Sequence, residues 1–219
     1  IIIIFCEVFL MTKSYQCLIL KFYFCFMNLL IIGSGAREHT FAWKIHNSTH
    51  DVNIFMTNPN AGCLEIVTPL FIDTSNFDLL KESILSNSIS LVLVGPEIPL
   101  IHGISDFISN DPQLARVKVI GPSKKGSMLE GSKEFAKQFM LRHNIPTASY
   151  RSFDKLNFDK GVEFINKNTP PYVLKADGPA AGKGVIIVND IDDAIKNLKD
   201  MLLNSKFGKS SEKVIIEEF

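Results

Sequence analysis

Residues 172–188 read YVLKADGPAAGKGVIIV and place a glycine-rich loop between two short apolar runs that are rich in β-branched residues. Such runs are typical of β-strands, so the segment is predicted to be a β-hairpin with the loop at its tip. The small residues of the loop let backbone N–H groups approach an anion closely; they are Gly178, Ala180, Ala181, Gly182 and Gly184. Lys175 and Lys183 add positive charge. The pattern favours a hairpin that closes over phosphates, and a plain glycine turn is the alternative interpretation.

The hairpin does not match a Walker A loop. That motif places a glycine four intervening residues before a Gly-Lys pair and a Ser or Thr directly after the pair. Here Asp177 stands at the first position, and Gly184 follows Lys183. The order strand, loop, strand therefore separates this segment from the P-loop nucleotide-binding proteins.

Composition limits the possible partners. The chain has 219 residues, of which 46% are hydrophobic, and a formal net charge of +0. A chain of this size can bury a substantial core, and we expect one complete domain and part of another. Zero net charge without a basic run argues against nucleic acid and against a membrane surface as partner. Four cysteines without metal-ligand spacing favour a reduced, cytoplasmic compartment; they are Cys6, Cys17, Cys25 and Cys63.

Residues 1–26 differ in character from the rest of the chain. They are rich in Ile, Phe, Cys and Tyr without helical or alternating order, and Glu7, Lys13 and Lys21 interrupt the apolar run. A spanning helix needs about 20 consecutive apolar residues, so a membrane anchor is not expected here. We interpret the stretch as non-native, either translated upstream sequence or a gene-model artefact, and Met27 as the start. At the other end, the strand-like run that closes the chain predicts that the sequence is a fragment.

From residue 27 onward, short apolar runs alternate with amphipathic stretches. This alternation predicts an α/β fold with a doubly wound parallel sheet over residues 27–130. Four polar or glycine-containing segments directly follow apolar runs, so we expect them at the carboxyl edge of the sheet, where such folds bind ligands. They are residues 33–35, 58–60, 95–97 and 121–123.

A second domain is predicted over residues 131–219. A helix is expected to begin at Ser132 and to end before Pro146, followed by a short strand. A second helix is expected over 155–168, the glycine hairpin over 172–188, a third helix over 190–203 and a last strand over 213–219.

The loop after the first strand has part of a dinucleotide-binding fingerprint. Its third glycine position is Glu38, so a Rossmann cofactor site is only weakly indicated. Helix N-terminal amides together with Arg37 suit the phosphate of a phosphosugar. Solvated charges in the first helical turn are the alternative interpretation for Arg37 and Glu38. His39 is either a ligand contact or a helix-surface histidine.

Further candidates lie at the ends of strands and helices. The Glu97 carboxylate could accept hydrogen bonds from sugar hydroxyls, and Asn58 and Asn60 suit a turn as well as a ligand. Lys133 stands at a helix start, where the helix dipole disfavours a cation unless an anion is bound nearby. Residues 217–219, Glu-Glu-Phe, could hold a ribose and an adenine ring or could simply end a strand in solvent.

Seven motifs, read in order along residues 27–219, resemble the phosphoribosylamine–glycine ligase (glycinamide ribonucleotide synthetase) family of ATP-grasp enzymes. They are IIGSGAREHTFAWK, NPNAG, LVLVGPEIPLIHG, VIGPSKKGSMLEGSKEFAKQFM, NIPTASY, VLKADGPAAGKGV and VIIEEF. Two residues depart from the usual family pattern, Ala36 in place of Gly and Pro179 in place of Leu. Neither departure removes a charge.

The resemblance implies an N-terminal substrate domain over residues 27–130 and the first part of an ATP-grasp domain over 131–219. It implies ligation of glycine to 5-phosphoribosylamine through a glycyl phosphate, in de novo purine (IMP) biosynthesis. The ATP-binding residues would be Lys133, Lys175, Asp177, Gly178, Ala180, Ala181, Gly182, Lys183, Gly184, Glu217, Glu218 and Phe219. The phosphoribosylamine-binding residues would be Gly33, Ser34, Gly35, Arg37, Glu38, His39, Asn58, Asn60, Gly62, Pro96 and Glu97.

In the family, the ligands for Mg²⁺ or Mn²⁺ lie beyond the position that corresponds to residue 219, so no metal ligand is expected in this chain. The isolated chain is therefore predicted to be inactive, because phosphoryl transfer would lack its main charge neutraliser. A cytoplasmic monomer that binds only small molecules is expected. The alternatives are a biotin carboxylase-like ATP-grasp ligase and a nucleotide-binding module without turnover.

Overall fold

The computed structural model describes residues 27–219, so the interpretation of residues 1–26 lies outside the described part. Packing divides the described chain into two compact units. The first comprises residues 27–95 and 113–119, and the second comprises 96–112 and 120–219. The predicted domains, 27–130 and 131–219, were drawn from sequence patterns and stay a prediction.

A five-stranded sheet organises the first unit. Its strands are β1 (Met27–Ile32), β2 (Val52–Thr57), β3 (Thr68–Leu70), β4 (Leu91–Val94) and β5 (Lys118–Ile120). Their order in the sheet is β3-β2-β1-β4-β5. Strand β1 runs parallel to both β2 and β4, and β2 runs parallel to β3. The predicted doubly wound parallel sheet is confirmed.

The central strand explains the continuous apolar run at the start of the described chain. Leu30, Ile31 and Ile32 have no solvent exposure. A parallel strand that is covered on both faces reads as an unbroken hydrophobic run rather than an alternating one. Helix α1 (Ala36–His46) and helix α2 (Phe77–Ser86) belong to the same unit.

The strand order reverses at β1, because the chain continues from β1 to β2 on one side and places β4 on the other. Loops that follow two such neighbouring strands diverge and leave a crevice at their carboxyl ends, which is where open α/β sheets bind ligands. The loop from Gly33 to Gly35 and the turn at Gly95 flank this position.

The second unit contains a four-stranded antiparallel sheet in the order β6-β9-β7-β8. Its strands are β6 (Tyr150–Asp154), β7 (Tyr172–Ala176), β8 (Val185–Val188) and β9 (Lys213–Glu217). Strands β7 and β8 form the predicted hairpin, with Tyr172 opposite Val188 and Lys175 opposite Val185. Strand β9 pairs with β7 and β6 and places Glu217 opposite Val173 and Tyr150.

Six α-helices complete the second unit. In chain order the six are α3 (Glu97–His102), α4 (Ile104–Asn110), α5 (Lys124–Gly131), α6 (Lys133–Arg142), α7 (Phe158–Lys167) and α8 (Ile191–Leu202). Helices α7 and α8 cover one face of the antiparallel sheet, and Ile165 and Leu198 are fully buried there with Leu174. The opposite face of β7 carries Val173 and Lys175, because successive side chains of a strand alternate.

Helix boundaries differ slightly from the predicted ones, for local reasons. The stretch predicted as one helix over 155–168 begins with a 3₁₀ turn, Lys155–Asn157, because Asp154 and Asn157 form a reciprocal capping box. Asp190 is the N-cap of α8 rather than its first residue. The last strand ends at Glu217, two residues before the predicted end.

Replacement of Asp190 by Ala should destabilise the second unit. The Asp190 carboxylate accepts a hydrogen bond of 2.9 Å from the Asp193 amide, and its loss costs about 1 kcal/mol of unfolding free energy. Urea denaturation followed by circular dichroism measures this change. Asp192→Ala is the matched control, because Asp192 is exposed in the same first turn without capping the helix; an equal loss in both variants would contradict the capping role.

Candidate functional site

The root of the glycine hairpin is bound to the N-terminus of α6 through Asp177. The Asp177 carboxylate accepts hydrogen bonds from the Glu134 amide at 2.8 Å and from the Ser132 hydroxyl at 3.0 Å. The Lys133 amide donates to the Asp177 carbonyl at 3.1 Å. A lysine at a helix start is disfavoured by the helix dipole unless an anion lies nearby. Within the protein, that anion is the Asp177 carboxylate. Its predicted contact with ATP stays a prediction.

The Lys133 ammonium lies at the hairpin root. Its Nζ atom is 3.4 Å from the Asp177 carbonyl oxygen and 3.3 Å from that of Gly178. Burial lowers the pKa of Lys133, and the nearby Lys175 lowers it further, while the negative charges of Asp177 and Glu130 act in the opposite direction. A cation that is partly dehydrated beside a like charge gains stabilisation from a bound anion.

A second lysine near the hairpin root, Lys175, pairs with Glu217. Both side chains project from the side of the sheet opposite α7 and α8, and Lys175 Nζ lies 2.7 Å from Glu217 Oε2. The Glu217 side chain is 6% exposed and that of Lys175 is 26% exposed. The carboxylate is therefore buried while its partner ammonium still reaches solvent.

Sequence reasoning missed a third lysine, Lys137. Its Nζ atom lies 3.4 Å from the same Glu217 oxygen, and its side chain is 9% exposed. Lys133 and Lys137 stand at positions i and i+4 of α6, a spacing that puts two side chains on one helix face. That spacing is the signal that could have identified Lys137 together with Lys133.

The hairpin tip has the backbone of a tight turn. The Lys183 amide donates to the Ala180 carbonyl at 2.9 Å, and φ is 48° at Ala181 and 76° at Gly182. Two consecutive positive φ values are those of a type I′ turn, which matches the twist of a β-hairpin. Ala181, Gly182 and Lys183 are exposed. The predicted phosphate loop is thus a solvent-facing turn with one cation, Lys183, in it.

The root of the loop is fixed more firmly than its tip. The Gly178 amide donates to the Ser210 carbonyl at 3.0 Å, and the Ser210 hydroxyl donates to the Pro179 carbonyl. A Cβ atom on Gly178 would lie 2.9 Å from Ser210 Cα, so only glycine allows this approach. Ser210 is a further residue that no sequence pattern singled out.

An exposed apolar surface lies beside Lys175. Val185 and Ile187 of β8 are 45% and 54% exposed, and they stand directly opposite Lys175 and Val173 of β7. Directly paired residues of an antiparallel sheet project from the same face. An apolar wall next to a cation matches the two parts of a nucleotide, a flat base and its phosphates.

The segment that follows β9 lines a cavity. Glu217, Glu218 and Phe219 line a volume of about 350 Å³ together with Ser149, Phe164 and Tyr172. The Glu218 amide donates to the Ser149 carbonyl at 3.0 Å, and the Ser149 hydroxyl donates to the Glu218 carboxylate. Phe219 is 77% exposed. The structure therefore groups these three predicted ATP-binding residues around one space.

In the first unit, Glu38 is buried and is not a solvated charge, and its contact with phosphoribosylamine stays a prediction. It is 5% exposed, and its Oε2 atom accepts a hydrogen bond of 2.8 Å from the Gly35 amide. Its carboxylate lies so close to Gly95 that a Cβ atom there would be 2.1 Å from Oε1. Arg37 Nη1 donates to the Gly95 carbonyl at 2.9 Å. Arg37 and Glu38 together tie the loop after β1 to the end of β4.

The loop after β2 packs against the same region. Asn60 Nδ2 donates to the Ser34 carbonyl at 2.9 Å, and a Cβ atom on Gly62 would lie 2.5 Å from Cε1 of His39. Sequence reasoning missed Thr57, whose buried hydroxyl accepts a hydrogen bond of 2.9 Å from the Gly33 amide. These contacts bring most of the predicted phosphoribosylamine-binding residues of the first unit together.

Three predicted residues are placed differently. The Asn58 side chain donates to the Ile72 carbonyl at 2.7 Å, away from the Ser34 contact that Asn60 makes. Pro96 and Glu97 belong to the second compact unit, where Pro96 is the N-cap residue of α3 and Glu97 is its first residue. Glu97 therefore opens a helix rather than extending a strand tip.

Among residues 27–219, no group of three or more His, Cys, Asp or Glu side chains is arranged to hold a metal ion. The helices within this range are all too short or too polar to cross a bilayer. The single cysteine of the range, Cys63, is buried and has a free thiol whose pKa is raised by burial.

The fold of the two units is that of the N-terminal part of an ATP-grasp enzyme, with a doubly wound sheet followed by a lysine-bearing antiparallel sheet and its glycine hairpin. Two family models match the chain: the N domain of phosphoribosylglycinamide synthetase over residues 27–130 and its ATP-grasp (A) domain over residues 131–219. The chain belongs to the phosphoribosylglycinamide synthetase family.

Individual relatives and structures agree with this assignment. A phosphoribosylamine–glycine ligase from Halalkalibacterium halodurans is 42% identical over 193 residues, which is 88% of this chain and 44% of the relative. The one from Pasteurella multocida is 40% identical over 195 residues, with the same coverage of 88% and 44%. The chain therefore spans less than half the length of these relatives.

Two solved structures illustrate the fold. The crystal structure of the Thermotoga maritima phosphoribosylamine–glycine ligase has a TM-score of 0.68 at 27% identity and covers 88% of this chain and 44% of that one. The biotin carboxylase domain of a Hydrogenobacter thermophilus 2-oxoglutarate carboxylase has a TM-score of 0.66 at 15% identity, with coverage of 89% and 44%. The second likeness shows the fold alone.

Replacement of Gly95 by Ala should destabilise the first unit through overlap with Glu38. Overpacking of this kind typically costs about 1–3 kcal/mol of unfolding free energy. Thermal and urea unfolding measure the loss. The control is Gly95→Ala in a Glu38→Ala background, where the overlapping carboxylate is gone and most of the additional loss should disappear; an undiminished loss would show that Glu38 is not the obstacle.

Proposed function

We propose that residues 27–219 are the N-terminal half of an ATP-dependent carbon–nitrogen ligase that joins glycine to 5-phosphoribosylamine. The products are glycinamide ribonucleotide, ADP and phosphate, in de novo purine biosynthesis. The observation that carries the proposal is the group of Lys133, Lys175 and Glu217 at the root of an exposed glycine hairpin, in a chain whose family model and relatives belong to this ligase.

ATP phosphates would meet Lys133 and Lys175. Both ammonium groups lie near the hairpin root, and desolvation of Lys133 makes its interaction with an anion more favourable than in water. The exposed turn from Ala180 to Lys183 would close over the phosphates with its backbone amides, while the contacts of Gly178 with Ser210 keep the root in place. Closure of the loop would exclude water from an acyl phosphate.

The adenosine part of the nucleotide would lie against the face of this sheet that carries Lys175. Val185 and Ile187 offer an exposed apolar surface beside Lys175, and Glu217, Glu218 and Phe219 line the neighbouring end of β9. Apolar walls with a few placed polar groups are typical of nucleotide sites. These residues would hold the adenine ring and the ribose hydroxyls.

Phosphoribosylamine would bind at the switch point of the first sheet, near Gly33–Gly35 and Gly95. Arg37 is the cation of this region, and the loop carrying Asn60 and Gly62 packs against it through Ser34 and His39. The predicted contacts of Asn58, Pro96 and Glu97 stay predictions.

The proposed reaction has two steps. The glycine carboxylate attacks the γ-phosphorus of ATP, which forms glycyl phosphate and releases ADP. The amine of phosphoribosylamine then attacks the acyl carbon, forms the amide and releases phosphate. Positive charge at Lys133 and Lys175 would stabilise the charge that develops on the phosphate oxygens.

A divalent cation would neutralise phosphate charge when it is bound with ATP. The Hydrogenobacter thermophilus structure was determined with MgADP, ADP and bicarbonate. The described residues offer no group of three acidic, His or Cys side chains for such an ion, so we assign no step to it within this chain. The choice of Mg²⁺ or Mn²⁺, with ligands in a C-terminal part, stays a prediction, as do a monomeric state and a cytoplasmic location.

The first experiment is an assay of the complete open reading frame that contains this chain. Phosphate release should require ATP, a divalent cation, glycine and phosphoribosylamine, and mass spectrometry should detect glycinamide ribonucleotide. Residues 27–219 expressed alone should release no phosphate under the same conditions. Turnover that requires bicarbonate instead of glycine would reject the proposed substrates and retain an ATP-grasp ligase.

Binding of ATP should be coupled to protonation of Lys133. Because the pKa of Lys133 is lowered in the ligand-free protein and a phosphate would raise it, binding at alkaline pH should take up a proton, and the affinity should fall as the pH rises above the lowered pKa. Calorimetry in buffers of different ionisation enthalpy measures this uptake. Lys133→Arg is the matched variant, since an arginine stays charged, and uptake that persists in it would assign the proton to another group.

A further inference from the structure

We propose that Lys137 is a positioning residue of the nucleotide site. It holds the Glu217 carboxylate in a shared contact and thereby leaves the ammonium group of Lys175 able to meet phosphate. The inference rests on the ATP-binding role proposed above for Lys175 and Glu217, and it adds a residue that itself does not touch the nucleotide.

The Lys137 ammonium has its hydrogen bonds within the protein. Its Nζ atom donates to Thr147 Oγ1 at 2.8 Å and to the Ala148 carbonyl at 3.1 Å, and it lies 3.4 Å from Glu217 Oε2. An ammonium group has three donors; Thr147 and Ala148 use two of them, and the ion pair with Glu217 supplies the third partner. The ring centroid of Tyr150 lies 5.6 Å from Nζ and adds a cation–π contact.

The burial of Lys137 and Glu217 also indicates that Lys137 is held in place. The Lys137 side chain is 9% exposed and that of Glu217 is 6% exposed. Removing a charged lysine from water is unfavourable unless the charge is paired and hydrogen-bonded. Lys137 is therefore held in one place by fixed partners, and its charge acts on Glu217 rather than on solvent.

One oxygen of Glu217 serves both lysines. Glu217 Oε2 lies 2.7 Å from Lys175 Nζ and 3.4 Å from Lys137 Nζ. The three charged groups together carry a net charge of +1. Without Lys137, the carboxylate would neutralise Lys175 alone, the pair would tighten, and the local net charge would fall to 0. Lys137 thus keeps the surplus charge on the exposed lysine, where an anion can use it.

A purely structural tether is the alternative role. In that case Lys137 would only link α6 to residues 147–148 and to β9, and its loss would lower stability equally with and without nucleotide. The two roles predict different results when Glu217 is also replaced. A positioning role acts through the Glu217 charge, so the effect of losing Lys137 should shrink when that charge is absent, whereas the effect of losing a tether should not.

The test uses the complete protein and calorimetric binding of a non-hydrolysable ATP analogue with Mg²⁺. Lys137→Met keeps the length of the aliphatic stem and removes the charge, and it should weaken binding about tenfold, which corresponds to about 1.4 kcal/mol. Lys160→Met, an exposed lysine of α7, is the matched control and should bind as the wild type does. Circular dichroism establishes that each variant is folded.

A double-mutant cycle identifies the route of the effect. In a Glu217→Gln background, Lys137→Met should change the affinity less than twofold, because the carboxylate through which Lys137 acts is gone. An unchanged affinity in the single Lys137→Met variant, or the same tenfold loss in both backgrounds, would overturn the positioning role. Wild-type protein that binds no analogue would instead reject the nucleotide site itself, and this inference with it.

Thr147→Val covers the case in which Lys137→Met does not fold. It retains the lysine and the shape of the site but removes one of the two hydrogen-bond acceptors that hold Nζ. A smaller loss of affinity, about threefold, is expected. An affinity equal to that of the wild type would count against the positioning of Lys137.

Discussion

The contact between the Asp177 carboxylate and the N-terminus of α6 is the interaction on which the lysine cluster of the second unit depends. It joins the hairpin root to the helix that carries Lys133 and Lys137. The carboxylate satisfies the Glu134 amide and the Asp177 carbonyl satisfies the Lys133 amide, and the negative charge opposes the positive end of the helix dipole. Because of this contact, lysines from a helix and from a strand can lie close together although residues 133 and 175 are far apart in sequence.

Once those lysines are close, their charges must be balanced. Asp177 and Glu217 supply two negative charges against Lys133, Lys137 and Lys175. The buried lysine, Lys137, has two hydrogen bonds within the protein, whereas Lys175 remains partly exposed. Surplus positive charge therefore resides where solvent or an anion reaches it. The same low dielectric that makes unpaired burial costly strengthens the attraction of such a site for phosphate.

Local patterns made much of this fold predictable. The unbroken apolar run of β1, the alternation along residues 27–130 and the glycine hairpin each have a local sequence signature, and the structure has all three. Ser132 and Asp190 were identifiable near helix starts because capping side chains are short-range features. The family resemblance supplied the nucleotide and substrate assignments, which the residues alone left open between a ligand site and ordinary turns or strand ends.

The parts that could not be predicted depend on long-range contacts. Ser210 meets Gly178 and Pro179 from a 3₁₀ turn that sequence patterns do not distinguish. Burial of Glu38 follows from its fit against Gly95, which no pattern within α1 encodes. Lys137 had a spacing signal, but its importance depends on Glu217, which a separate strand brings near. Long-range partners decide whether a charged residue is solvated, structural or available to a ligand.

The two units use their polar groups in opposite ways. In the first unit, Glu38, Arg37 and Asn60 are bound to backbone groups of neighbouring loops, so the switch-point crevice is a fixed surface. In the second unit, the hairpin root is fixed by Asp177 and Ser210 while the tip from Ala181 to Lys183 is exposed. Binding to a fixed surface costs little free energy for ordering the protein. Binding that orders a loop costs more, but the ordered loop then excludes water from the ligand. The first unit therefore offers a preformed polar surface, whereas the second offers a hairpin that can change its exposure at the tip without losing its root contacts.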